Sequence, residues 1–132
     1  MIGVDTNVLI RYFAEDDPAQ ARAARALIEH TLTRESPGHV AAVTLAEFAW
    51  VLKRLYRGSR EEIGAAVEGL LTAPTLAIEH KALAWTALAG YLSGKAGFGD
   101  CLIAEVNRAV GCTHTVTFDR DAATHAEFQL LK

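Results

Sequence analysis

Short apolar runs, each followed by a stretch of helical spacing, set the layout of this sequence and constrain its fold more than any other feature. The run at residues 2–4 breaks at Asp5-Thr6-Asn7, after which Val8, Leu9, Tyr12 and Phe13 recur at helical spacing. This reads as a strand, a tight junction and a helix. Asp16-Asp17-Pro18 ends that helix, with Asp17 placed to cap the next one and Pro18 at its first position. The alanine-rich residues 19–32 form that helix. Ser36-Pro37-Gly38 reads as a turn and residues 40–43 as a short strand. Thr44 then opens a helix whose apolar positions include Leu45, Phe48, Ala49 and Leu52. Gly58-Ser59 stops it, and Ser59 with Glu62 makes a capping box for a helix running to Leu71. A third strand at 75–78, a helix at 81–92 and a glycine-punctuated loop at 93–99 follow. A helix at 100–110 ends on Gly111, and a last strand at 114–118 leads into Asp119-Arg120-Asp121. Strands alternating with helices predict an α/β sandwich around a short-stranded, mainly parallel sheet.

No linker, repeat or low-complexity tract divides the 132 residues, so residues 1–132 are expected to form one domain. With 51% hydrophobic and 22% charged residues, the chain is not disordered. It has no apolar run near the roughly 18 residues of a membrane span. The opening MIGVDTN lacks the basic and apolar blocks of a signal peptide. A cytoplasmic protein without a membrane partner is expected. Cys101 and Cys112 form no CxxC pair and read as two small buried hydrophobes. The five histidines show no ligand spacing.

The net charge of −3 is not the basic field of a protein that holds nucleic acid by its overall charge. A polyphosphate partner would need a local patch or a metal. Lys53, Arg54 and Arg57, with Arg60, are the candidate RNA-backbone patch; the same residues also suit a solvated helix C-terminus. Arg11, Lys95 and Arg120 lie near the expected site loops. Trp50, Tyr56 and Trp85 are candidates for core packing, a dimer interface or a partner helix.

The acids carry the functional signal. In an open parallel sheet, ligands sit beyond the carboxyl ends of the strands. Asp5 closes the first strand, Asp119 closes the last, Asp100 starts a helix and Glu47 lies in the first turn of another. Each has a local explanation: Asp5 as a helix cap, Thr44 and Glu47 as a capping box, Asp100 as a first-turn acid, Asp119 and Asp121 as turn residues. None of these explains why all fall at one predicted edge. Two carboxylates at about 5 Å repel by roughly 3 kcal/mol at an effective dielectric near 20, so a cation must compensate or some must protonate. Hard oxygen donors without a His or Cys pair select Mg²⁺ or Mn²⁺, and such sites serve phosphoryl chemistry.

At these residues the sequence resembles the PIN domain family, and within it the VapC-type toxins of bacterial toxin–antitoxin pairs. The matching stretches are Ile2-Gly3-Val4-Asp5-Thr6-Asn7-Val8-Leu9-Ile10, Thr44-Leu45-Ala46-Glu47-Phe48, Gly99-Asp100-Cys101-Leu102-Ile103-Ala104 and Thr115-Val116-Thr117-Phe118-Asp119-Arg120-Asp121. They span essentially the whole chain. The resemblance implies a PIN-like three-layer α/β/α sandwich and a metal-dependent endoribonuclease. Its four acidic positions fall on Asp5, Glu47, Asp100 and Asp119. Asp5 and Asp100 would be primary ligands of Mg²⁺ or Mn²⁺, with Asp119 assisting. Glu47 would orient the attacking water or a second ion. Thr6, Asn7 and Thr117 would support the acids, and Asp121, in the same turn, would share the role of Asp119, which sits where the family places its last acid. The implied substrate is RNA, often transfer or ribosomal, cut to leave a 5′-phosphate and a 3′-hydroxyl. The implied partners are a VapB-like antitoxin covering the acidic site and a second copy in a homodimer.

Three other readings have specific residues against them. A phospho-receiver domain needs an acceptor Asp near mid-chain, and there is none between Asp17 and Asp100. A haloacid-dehalogenase-like phosphatase needs Asp-x-Asp at the first strand, where the chain has Asp5-Thr6-Asn7. A catalytically silent PIN-type module that binds RNA or protein usually loses acids, and all four are present.

Overall fold

The computed structural model describes residues 1–132 and shows a mixed α/β fold in which every strand pair is parallel. Strand β1 (Ile2–Gly3) runs into α1 (Thr6–Phe13), whose buried Leu9 and Ile10 face inward. Helix α2 (Pro18–Ala26) starts as expected, with the Asp17 carboxylate accepting from the Gln20 N–H at 3.1 Å. Its continuation widens into a π turn over Leu27–Thr31. The carbonyl of Ile28 in that turn accepts from the Thr75 hydroxyl at 2.7 Å, so a side chain from a distant segment satisfies it.

Strand β2 is Gly38–Val40, two residues earlier than the expected 40–43. Gly38 is not a turn residue. It is buried in the central strand of the order β1-β2-β3, where β3 is Leu76–Ile78. A Cβ there would lie 2.7 Å from Leu32 Cδ1 and 2.8 Å from Val4 Cγ2. The glycine is required by close packing, which the sequence pattern does not reveal. Gly38→Ala should therefore overpack the core and lower the unfolding free energy by about 1–3 kcal/mol. Urea denaturation would show this as a lower midpoint with an unchanged slope; an unchanged midpoint would refute the packing argument.

With β2 ending at Val40, helix α3 (Ala42–Arg54) begins at Ala42 rather than Thr44. Helix α4 (Arg60–Thr72) opens with the expected Ser59–Glu62 capping box. Helices α5 (Lys81–Ser93) and α6 (Phe98–Ala109) follow. Gly111, at φ +101°, ends α6: its N–H donates to the Arg108 carbonyl and the Cys112 N–H to the Asn107 carbonyl, the paired bonds of a Schellman stop.

The expected single central sheet is divided. Strand β4 (Thr115–Thr117) pairs not with β1–β3 but with β5 (Phe128–Leu130), a strand absent from the sequence reading. Neither β4 nor β5 has a buried residue, so this pair lies outside the packed core that the first sheet joins. One core of 24 buried residues, including Val40, Leu45, Phe48, Val67, Leu71 and Leu88, joins the helices to the first sheet. Cys101 is buried as expected, but Cys112 is exposed after the α6 stop. Trp50 is not a core residue either: it is 57% exposed. No helix is long and apolar enough to cross a membrane.

Candidate active site

Asp5 sits between β1 and α1 in extended conformation and caps α1, its carboxylate accepting from the Thr6 N–H at 2.8 Å. The local role read from the sequence is real, yet it engages one oxygen of an exposed carboxylate. Thr6 is buried, and its hydroxyl donates to the Glu47 carboxylate. This bond ties α1 to α3 and orients Glu47.

The expected capping box of Thr44 and Glu47 does not form. Ala41 is the N-cap, so Glu47 falls in the second turn of α3, on its exposed face. The orphan N–H of Ala42 is instead taken at 2.8 Å by the carboxylate of Glu79, which follows β3. Sequence reasoning missed Glu79 because the contact spans 37 positions. By capping α3 from outside, Glu79 leaves Glu47 free of a local duty.

Asp100 stands at the third position of α6, whose N-cap is Gly97. Its carboxyl is pushed above the usual range, first by burial and then by the charge of Asp119. The Gly97 backbone N–H and the Lys53 ammonium pull the other way without reversing the shift. The neighbouring Cys101 thiol is pushed up to about 11, chiefly by burial, so it stays protonated and is no nucleophile. The loop that delivers Asp100 is held by Arg60, whose guanidinium donates to the carbonyls of Tyr91, Ala96 (2.8 Å) and Lys95 (3.3 Å). It also stacks on the Tyr91 ring, 4.0 Å from the centroid. Arg60 is thus spent on positioning.

Asp119 follows β4. Its N–H donates to the Thr117 hydroxyl at 3.0 Å, and its Oδ1 accepts from the N–H groups of Asp121 (2.8 Å) and Ala122 (3.0 Å). One carboxylate oxygen holds the turn and the other is free. The Asp121 side chain makes no hydrogen bond in that turn.

The structure brings Glu47, Asp100, Asp119 and Asp121 to the wall of one cleft of about 760 Å³, with Lys53 and Arg54 beside them. Arg57 does not line it; it leaves α3 in the left-handed region at φ +54°. Asp5, Thr6 and Asn7 line an adjoining hollow of about 290 Å³, and Glu47 lines both spaces. A further hollow of about 340 Å³ between α1 and α2 has no carboxylate in its wall.

Two observations bear on whether a divalent cation fits. The donors are all hard carboxylate oxygens, and the Asp100 carboxyl is pushed up first by burial and then by the charge of Asp119, a repulsion that a cation would relieve. Against this, no three acidic, His or Cys side chains lie close enough to hold an ion together. Asp100 and Asp119, which act on each other, suffice, because Mg²⁺ keeps several of its waters and takes only one or two carboxylates.

Compared with known proteins, residues 2–128 match the PIN domain family. No curated protein matches the chain. PIN domains are generally metal-dependent nucleases acting on nucleic acid. The match covers nearly the whole chain, and the chain belongs to the PIN domain family.

Proposed function

We propose that this PIN domain is a Mg²⁺- or Mn²⁺-dependent endoribonuclease of the VapC toxin type, acting on transfer or ribosomal RNA and held off by a VapB-like antitoxin. The observation that carries the reading is the cleft in which Asp100 and Asp119 repel each other beside Glu47 and Asp121. The carboxylates of that cleft suit a divalent cation or an inserted basic side chain of an antitoxin. Asp100 and Asp119 would hold the ion, and Asp5, in the adjoining hollow, would reach it through one of the ion's waters. When bound, the ion supplies polarisation of a phosphate oxygen and a lower pKa for attacking water.

The chain's own residues do the rest. The Thr6 hydroxyl fixes one Glu47 oxygen, and the other orients the attacking water and accepts its proton. In-line attack on phosphorus then breaks the bond to the 3′-oxygen, which leaves with the electron pair and takes a proton from solvent water, giving a 5′-phosphate and a 3′-hydroxyl. Lys53 and Arg54 draw the flanking phosphates to the cleft. A second copy in a homodimer belongs to the same reading.

The lack of a closed three-ligand set favours one rival, a silent module that binds RNA without cutting it. Metal removal separates the two. Purified protein with a pool of transfer and ribosomal RNA and Mg²⁺ should give discrete fragments bearing 5′-phosphates. EDTA should reduce cleavage on the order of 10³-fold, and added Mg²⁺ should restore it. No fragments from folded, antitoxin-free protein would sink the enzyme reading in favour of the silent module.

A further inference from the structure

We propose that Trp50 is a stacking platform for an unpaired base of single-stranded RNA, placed one helical turn from Glu47. The inference rests on the ribonuclease reading and names the form of its substrate. Helix α3 buries Leu45, Phe48 and Ala49. Its opposite face sets Val43, Glu47, Trp50 and Arg54 at spacings of three and four, and all four line the acidic cleft. Trp50 lies three residues from Glu47, about 4.5 Å along the axis.

Trp50 is 57% exposed, and no side-chain hydrogen bond anchors its indole. With Val43 (75% exposed) and Ile103 (49%) on the same cleft wall, Trp50 belongs to an exposed apolar patch, the kind of surface that marks a binding site. Arg54 Cζ lies 5.8 Å from the ring centroid, so a cation stands beside the aromatic face. The ion pairs of the protein are Arg11–Asp16, Arg25–Glu15 and Arg108–Glu105. Arg54 and Lys95 are therefore exposed cations in no ion pair, and Lys53, though it acts on Asp100, is not in ion-pair contact with it either. An aromatic face with free cations is the combination that takes a base and its adjoining phosphates.

Trp50 is set among acids and free cations, and the cations let the platform hold the phosphates that flank a stacked base. A paired RNA helix cannot use the platform, because its bases are already stacked; a loop or a single strand can splay one out.

The test compares Trp50→Ala and Trp50→Phe in two settings. In the Asp100→Asn background, with Mg²⁺ present, binding of a short unstructured RNA is followed by anisotropy. Trp50→Ala should weaken it about 5- to 150-fold, the effect of one lost stacked base. The salt slope should stay unchanged, because no phosphate contact is removed. Trp50→Phe should retain most of the affinity. In a Trp85→Phe protein, single-stranded RNA should quench the remaining indole emission and the duplex should not. In the active protein, Trp50→Ala should raise KM and leave kcat nearly intact.

Wild-type binding and KM in Trp50→Ala, with wild-type protein still cleaving, would overturn the platform and leave the ribonuclease reading standing. A change from dimer to monomer in Trp50→Ala with RNA affinity unchanged would also overturn it and assign Trp50 to a subunit contact. Absence of both cleavage and RNA binding in every variant would take down the underlying reading and the platform with it.

Discussion

Asp100→Asn protein will cleave RNA on the order of 10³-fold more slowly than wild type, yet will melt at or slightly above the wild-type temperature. The two effects have one cause. The charged form of Asp100 is disfavoured in the folded protein by burial and by Asp119. A carboxyl whose folded-state pKa is raised contributes stability below its ordinary pKa and loses it as pH rises through the raised value. At neutral pH the wild type therefore carries an unfavourable charge, which the asparagine removes. The carboxyl is half-buried and solvent screens it, so the gain is about 1 kcal/mol at most, or a rise of about 1–4 °C in Tm. No side-chain hydrogen bond from Asp100 caps α6, so the asparagine leaves the start of the helix intact.

Cation binding gives the counterpart. Mg²⁺ should raise the Tm of wild type and do so less in the variant. Thermal melts with and without Mg²⁺, beside an RNA cleavage assay, check all three statements. Full cleavage by folded Asp100→Asn protein would refute the assignment of Asp100. A steep fall in its Tm would instead make Asp100 a structural cap.

The acids were legible in the sequence because each stands at an element end or on one helix face. Asp5, Asp100 and Asp119 need only a strand–helix alternation to be placed, and that alternation is plain. Their surroundings were less legible for a common reason: they are tertiary. Thr44-x-x-Glu47 obeys the local rule for a capping box, but β2 ends early and α3 starts at Ala42. The cap then comes from Glu79, 37 positions away. Arg60 looked like one of a basic run, whereas its guanidinium is bound to three backbone carbonyls. Gly38 followed Ser36-Pro37 like a turn residue, and only the positions of Leu32 and Val4 show why no side chain fits. Strand β5 carries only Phe128 and Leu130 in a three-residue segment, too short an alternation to be told from a tail.

The largest loss of stability should come from Phe48→Ala. Phe48 is fully buried, the largest of the completely enclosed side chains, and its ring meets Phe13 edge-on with centroids 5.5 Å apart. Removing such a ring typically costs about 3–5 kcal/mol, against a total of roughly 5–15 kcal/mol for a domain. The Tm should fall by about 10–20 °C, while Phe48→Leu, which keeps most of the volume, should lose less than half as much. The consequence for function follows from the helix. Phe48 is the inward neighbour of Glu47, so it anchors the face opposite the cleft and holds α3 against α1, where Thr6 reaches Glu47. Cleavage by Phe48→Ala should therefore fail with temperature in step with unfolding followed by circular dichroism, and be largely retained when the protein is cold and folded. Asp100→Asn should show the reverse, inactive at every temperature at which it is folded. If Phe48→Ala melts within a few degrees of wild type, Phe48 does not anchor α3, and the orientation of Glu47 must depend on the Thr6 bond alone.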